Sequence, residues 1–230
     1  MAQSQLRPES SWDPTWERVF REQPWGQYPP EHVVRFVARK WYSAADRSGV
    51  RLLDLGCGPG ACTWYMARER FSVSGIDGSE TAIDLARHRL AHEGLVADLH
   101  VGNFAILPWP EGVFDGVIDN FALCHNRFED CRRAVREAYR VMKPGGCLLS
   151  CSFSARTLGC GAGTVVERGG YKDITVGPLA GKGFCLFMTR NRVAELFRDF
   201  AVQEIELVSR TVSSMQHLIE FWCVEAHKPC

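Results

Sequence analysis

Apolar positions along the chain switch between two periods, and the switches lay out its elements. The run Val50-Arg51-Leu52-Leu53-Asp54-Leu55 predicts a buried strand ended by glycines, and further strands are predicted over Phe71–Ile76, Leu99–Val101, Phe114–Asp119 and Cys147–Phe153. Between them the spacing turns helical. ACTWYMARER follows the glycines. Ser79-Glu80-Thr81 introduces a helix through about Glu93, and Glu129–Met142 carries Ala134, Val135, Ala138 and Val141 on one face, with Lys143-Pro144-Gly145-Gly146 as its stop. Ahead of the first strand, Pro29 and Pro30 open EHVVRFVARKWY, where Val33, Val34, Val37 and Trp41 recur at helical spacing. Further upstream, WDPTWERVF (Trp12–Phe20) reads as a short amphipathic helix, and residues 1–11 as disordered.

Strands alternating with helices at this spacing predict βαβ units and a parallel sheet, an α/β fold. Residues 155–183 break the pattern with many glycines and few apolar pairs, so they read as a long excursion of the functional or mobile kind. A helix over Thr189–Phe200 and two closely spaced strands, Val202–Ser209 and His217–Ala226, then follow.

Composition narrows the function classes. The 230 residues, 46% of them apolar, suit one large domain with a sizeable core. Lys plus Arg equals Asp plus Glu, at 27 each, which disfavours a nucleic-acid partner. No apolar run approaches the roughly 18 residues of a membrane span, and MAQSQLRPESSWDP lacks the apolar region of a secretory signal; a cytoplasmic protein with no membrane partner is expected. Ten cysteines are present without a C-x-x-C pair, and several sit in apolar runs (Cys147, Cys151, Cys185, Cys223). They read as free thiols rather than disulfide or metal ligands, and no metal is expected.

The strongest chemical signal is Leu53-Asp54-Leu55-Gly56-Cys57-Gly58-Pro59-Gly60, a strand running into three alternating glycines and then a helix. Glycines there let the backbone turn sharply and approach a ligand, and the helix beyond presents unpaired N–H groups. A nicotinamide-cofactor fingerprint would place its third glycine three positions after the second, whereas here Gly60 follows Gly58 by two, which disfavours an oxidoreductase. A glycine cluster alone also reads as a structural turn, and Asp77 alone as a solvated strand cap. In order and on the right elements, the segments resemble the class I S-adenosylmethionine-dependent methyltransferases, in particular small-molecule members of the type 11 kind. The resemblance covers residues 50–153. It rests on the glycine loop, on Gly75-Ile76-Asp77, on Gly102-Asn103-Phe104, and on LPWPEGVFDGVIDNFALCH followed by EAYRVMKPGGCLL.

The resemblance implies a doubly wound, Rossmann-like, seven-stranded and mostly parallel sheet with a reversed C-terminal strand. It implies S-adenosylmethionine as cofactor and a single methyltransferase domain: a helical lid over 1–45, a cofactor-binding core over 46–153, a substrate-shaping excursion over 154–188, and a C-terminal helix and hairpin over 189–230. Cofactor contacts would come from Asp54, Gly56, Gly58, Gly60, Asp77, Gly78, Asn103, Phe104 and Asn120. Asp77 would accept the ribose hydroxyls, and Asp54 would act indirectly by bonding to loop amides. The segment Trp25-Gly26-Gln27-Tyr28-Pro29 is similar to the family's lid, so Tyr28 would bond the cofactor carboxylate and Trp12 or Trp16 would line the acceptor pocket; these rings read equally as packing for the first helix. His125 is the candidate general base for a hydroxyl or ammonium acceptor. Arg156, Lys172 and Lys182 would hold an anionic one, or simply face water. The expected reaction is methyl transfer to an oxygen or nitrogen of a small metabolite by direct in-line displacement, in a monomer or homodimer. A protein or peptide methyltransferase and a non-catalytic cofactor-fold binding protein remain open alternatives.

Overall fold

A computed structural model of the protein describes residues 12–230; the expectation of disorder for residues 1–11 lies outside them. Helices α1 (Thr15–Glu22) and α2 (Glu31–Trp41) precede the sheet. Then β1 (Arg51–Leu55), α3 (Ala61–Arg68), β2 (Ser72–Asp77), α4 (Glu80–His92), β3 (Asp98–Val101), β4 (Phe114–Asn120), α5 (Phe128–Val141) and β5 (Met142–Phe153) alternate as the periodicity predicts. The local signals act as expected. Pro30 precedes α2, Gly60 in left-handed geometry precedes α3, and the Ser79 hydroxyl caps α4 by accepting the Ala82 N–H at 3.0 Å.

The strands assemble in the order β3-β2-β1-β4-β5-β10-β9, where β9 spans Ala201–Val212 and β10 spans His217–His227. Strands β3 to β5 pair in parallel, and β10 runs antiparallel to both β5 and β9. The seven-stranded, mostly parallel sheet with its reversed strand is therefore present. Alternation across the pleat fills both faces. Leu53, Val117, Leu148 and Ala226 form a register row in the cluster with Ala134, Val135 and Ala138 of α5. Leu52, Ile118 and Leu149 join the opposite cluster with Val33, Phe36 and Val37 of α2, Met66 of α3 and Ile83 of α4.

Two sequence expectations change. Helix α5 stops at Val141, just ahead of Lys143–Gly146 as predicted, but that segment is itself absorbed into β5 as a bulge, with Met142 opposite Phe114 and Cys147 opposite Gly116, so the strand starts before Cys147. Residues 155–183 are not a bare excursion. They carry β6 (Thr164–Glu167) and β7 (Gly170–Lys172), which with β8 (Cys185–Leu186) form a small antiparallel sheet. Ile174, Leu179, Cys185 and Phe187 cluster beneath it. Strands of two to four residues are too short to show a period, and their apolar residues stand singly among glycines. Helix α6 (Arg190–Leu196) then leads into β9. All ten cysteines are free thiols, seven of them buried; Cys147 is partly exposed.

The tightest point between α2 and the sheet lies at Gly116. A Cβ there would sit 2.3 Å from Cη2 of Trp41 and 2.9 Å from Leu52 Cδ2, so the indole lies directly on bare backbone. Gly116→Ala should lower the unfolding free energy by about 1–3 kcal/mol through overpacking. Urea denaturation checks this, with the m-value unchanged.

Candidate functional site

The C-terminal ends of β1, β2 and β4 open into a cleft of about 260 Å³. Its floor is the turn from β1 into α3. Gly56, Gly58 and Gly60 all take positive φ, at 68°, 51° and 80°. They do so for different reasons. A Cβ at Gly56 would collide with the Ala122 Cβ at 2.1 Å, and one at Gly60 with the Ala86 Cβ at 2.8 Å, whereas one at Gly58 would meet only the Phe20 ring at 3.5 Å. Gly56 and Gly60 thus let two elements approach the turn, and Gly58 keeps bare backbone facing the cleft.

Two buried acids flank that floor. Asp77, at the end of β2, accepts the Gly58 N–H on Oδ2 and the Ser79 N–H on Oδ1, both at 2.9 Å. Burial raises its pKa although these amides and the Gly78 amide oppose the shift. Asp54 accepts the Thr63 hydroxyl at 2.6 Å and also the Thr63 amide, both from the first turn of α3 instead of the glycine loop expected from sequence. Burial lifts it from 3.8 to about 6, against the pull of Thr63. Beside Asp77, a Cβ on Gly78 would lie 2.4 Å from the Trp12 ring, so that indole rests on the backbone next to the acid.

The wall opposite is set by Asp119, an acid the sequence reading did not single out. Its Oδ1 accepts the N–H groups of Ala122 (2.8 Å) and Leu123 (3.1 Å), and its Oδ2 accepts the Ser150 hydroxyl at 2.5 Å. Burial raises its pKa to about 7 despite Ser150. This clamp shapes the turn after β4 and so presents Asn120, Ala122 and His125 to the cleft. Phe121 within it holds φ 65°, an uncommon conformation for a bulky residue, and its ring stacks obliquely on Phe153 at 4.7 Å.

The N-terminal segment closes the cleft from above. Glu17 of α1 accepts the hydroxyls of Ser79 (2.5 Å) and Thr81 at the start of α4. Asp13 accepts the N–H groups of Thr15 (3.0 Å) and Phe184 (2.9 Å). The carbonyl of the same Phe184 lies 2.9 Å from Nδ1 of His125. A carbonyl can only accept, so Nδ1 carries the proton and Nε2 holds the neutral ring's lone pair. Burial disfavours charge on this ring, but the neighbouring Cys124 sulfur outweighs it and raises the His125 pKa above 6.5. Burial likewise pushes the Cys124 thiol up, yet the Cys185 thiol and the His125 ring pull it down to about 5. Trp16 meets His125 edge-on at 4.5 Å and Trp25 at 5.6 Å, and Lys182 Nζ lies 5.1 Å above the Trp25 ring.

Residues 52–146 match the family model described as a methyltransferase domain. Among curated proteins, the chain is 35% identical over 113 residues to a ubiquinone/menaquinone biosynthesis C-methyltransferase of Vibrio cholerae, covering 47% of this chain and 43% of that one. It is 28% identical over 178 residues to a demethylmenaquinone methyltransferase of Clavibacter sepedonicus, covering 77% of this chain and 60% of that one. The chain thus spans less than two thirds of the length of either. Among solved structures, a SAM-dependent methyltransferase of Methanosarcina mazei superposes with a TM-score of 0.65 at 23% identity, over 78% of this chain and 92% of that one. A Pyrococcus horikoshii protein gives 0.65 at 16% identity, over 92% and 98%. The matched residues 52–146 are thus similar to a methyltransferase domain, and the sheet has the fold of the S-adenosylmethionine-dependent methyltransferases.

The cofactor of this family is S-adenosylmethionine, and the cleft fits it by two features of its own. The floor at Gly58 is backbone that a side chain would fill, and Nε1 of Trp16, a residue of the cleft wall, is a buried donor without a partner among the described residues. Asp54, Gly56, Gly58, Asp77, Gly78, Phe104 and Asn120 all line the methyltransferase cleft, as do His125, Trp12, Trp16 and Lys182. Gly60 sits one turn away, at the start of α3. Asn103 does not line the cleft; its Oδ1 accepts the Ala105 N–H at 2.8 Å and shapes the turn that delivers Phe104. Tyr28 stands 74% exposed, its ring edge-on to Trp64, outside the cleft. Arg156 and Lys172 are also outside it. Arg156 pairs with Glu220 at 3.6 Å, with its own side chain 69% exposed, and Lys172 is exposed at the end of β7. Asp13 and Phe184 were missed because their contact, a carboxylate accepting a backbone N–H, joins segments 171 residues apart. Among the described residues, no helix is long and apolar enough to cross a membrane.

The raised pKa of Asp54 has two signed consequences. In the folded protein the carboxyl keeps its proton up to about 6, while the unfolded chain releases it near 3.8, so this group's contribution to stability falls as pH rises across that window. A cationic ligand reverses the preference by favouring the ionised form. Affinity for S-adenosylmethionine should therefore rise with pH up to about 6 and then level off, and Asp54→Asn should flatten the profile. Calorimetric titration across that range checks both.

Proposed function

We propose that this protein methylates a small, planar, hydroxylated ring, using His125 as the base. The observation that carries the proposal is the cleft's composition: a bare-backbone floor beside Asp77, facing aromatic walls from Trp16, Phe121 and Phe153, with a histidine whose Nδ1 is committed to the Phe184 carbonyl. S-adenosylmethionine supplies, when bound, an electrophilic methyl group on a sulfonium. The chain's contributions are positioning and proton transfer. Gly58 and Asp77 hold the nucleoside, with the remaining carboxylate lone pairs available to ribose hydroxyls. Trp12 must move off Gly78 to admit it. The aromatic walls exclude water, favour a flat acceptor and suit a nearby cation. Holding the acceptor in line with the methyl group removes much of the barrier, and Nε2 of His125 takes the acceptor's hydroxyl proton.

Deprotonating a ring hydroxyl raises electron density on the oxygen and on the adjacent ring carbons, so one base serves methylation at either atom. The sequence reading expected oxygen or nitrogen. The matched relatives are by name a C-methyltransferase and a demethylmenaquinone methyltransferase, which favours ring carbon as the second reading. A protein or peptide acceptor is the poorer fit, because the N-terminal segment caps the cleft instead of leaving a groove. Lys182, half-buried over Trp25, suits an acceptor with an anionic or carbonyl oxygen.

The decisive experiment supplies methyl-labelled cofactor and a dihydroxynaphthalene, with mass spectrometry of the product. Labelled product is expected, its fragmentation distinguishing oxygen from carbon. Cofactor binding by calorimetry without transfer to any hydroxyaromatic compound would overturn the proposal. In a productive assay, kcat/KM should climb with pH through a pKa above 6.5; His125→Gln should abolish that limb, and Cys124→Ser should move it to lower pH.

Trp16 separates ligand recognition from packing. Its orphaned N–H costs stability in the free protein, so Trp16→Phe should leave thermal stability equal or higher, while weakening acceptor or cofactor binding by about 1 kcal/mol if a ligand oxygen accepts from it. Paired melting and titration experiments check the two halves.

A further inference from the structure

On the far side of Asn120 from the glycine turn, three elements distant in sequence bring soft ligands together. His32 on α2, Cys151 on β5 and Cys223 on β10 each place one donor atom so that all three lie within 4.8 Å of one another. Cys151 and Cys223 are directly opposed across the antiparallel β5–β10 pair, their sulfurs 3.3 Å apart, and are 0% and 3% exposed. From these positions we propose that His32, Cys151 and Cys223 form a binding site for a thiophilic cation of the zinc(II) or copper(I) kind.

The donor set selects the ligand class. Thiolate sulfur favours zinc and copper(I) over hard cations, and imidazole suits both. A zinc ion bonded at about 2.0–2.3 Å needs donors within roughly 4 Å of each other, a rotamer-scale adjustment from the present spacing. His32 is prepared for this. Its Nε2 lies 2.9 Å from Oδ1 of Asn120, an acceptor, so Nε2 carries the proton and the ring keeps one bare lone pair. A carbonyl oxygen holding the other ring N–H is the outer-shell arrangement of metal-bound histidines. The cation replaces the protons of both thiols, so binding releases two protons and weakens as pH falls.

Such an ion would cross-link α2 to the reversed strand pair. Outside its apolar contacts, α2 is tied there by polar pairs, Arg35 with Glu206, Lys40 with Gln203 and Arg39 with Glu225. It would also fix Asn120, which lines the cleft, through His32.

The test uses the full chain, reduced and metal-free, titrated with cobalt(II), zinc(II) and copper(I). Sulfur-to-cobalt charge-transfer absorption, one zinc or copper retained per chain after dialysis against a weak chelator, and a higher melting temperature with the ion are expected. Cys151→Ala and Cys223→Ala, small apolar replacements that the core tolerates, should each lose the spectrum and the retained ion, while Cys160→Ser and Cys230→Ser keep both. Asn120→Ala should weaken binding roughly 10–100-fold. Circular dichroism confirms that each variant is folded. Retention that is absent, or that survives in both Cys151→Ala and Cys223→Ala, overturns the proposal. So does a pair of verified free thiols that takes up none of the three ions. None of these readouts depends on methyl transfer.

Discussion

Between β1 and β4 the helices diverge to opposite faces of the sheet, and the crevice left there is where open α/β folds bind ligands. In this protein the crevice has a floor because one carboxylate, Asp77, accepts the Gly58 N–H from the neighbouring strand's turn. That bond joins β2 to the entrance of α3 and holds the three left-handed glycines in a single shape. Without it the amide would be buried and unpaired and the turn would lose its reference point. The same carboxylate lines the cleft, so under the proposed function one group both supports the turn and accepts a sugar hydroxyl.

The second half of the cleft is built by an analogous device at the end of β4. Asp119 gathers two backbone amides and the Ser150 hydroxyl, and the strained Phe121 pays for the sharp turn with a positive φ offset by aromatic packing. Phe184 then couples this wall to the N-terminal segment. Its N–H meets Asp13 and its C=O meets His125, so the N-terminal segment and the histidine share one peptide residue. The placement of that segment and the tautomer of His125 are thereby linked.

The strand order, the helices and the glycine floor were legible in the chain because each depends on residues close in sequence. Periodicity reports burial along a single element, Ser79 and Pro30 act on the turn beside them, and alternating glycines state a backbone conformation directly. The contributions of Tyr28, Asn103 and Arg156 were not legible in this way. Each is a polar residue at a position where the family pattern allows a contact, but whether its side chain reaches the cleft depends on helix placement and on competing partners such as Trp64, the Ala105 amide and Glu220.

The sequence by itself therefore determined the α/β architecture, the position of the crevice and the acid beside it. Only the tertiary structure decided what closes that crevice and which groups meet across it. Asp13 reaches Phe184 over 171 residues, and Cys151 reaches Cys223 over 72. The physical reason is range: hydrogen-bond propensity and hydrophobic period act over a few residues, whereas a site is assembled from strand ends whose spacing is fixed by sheet register and packing, quantities that no local pattern encodes.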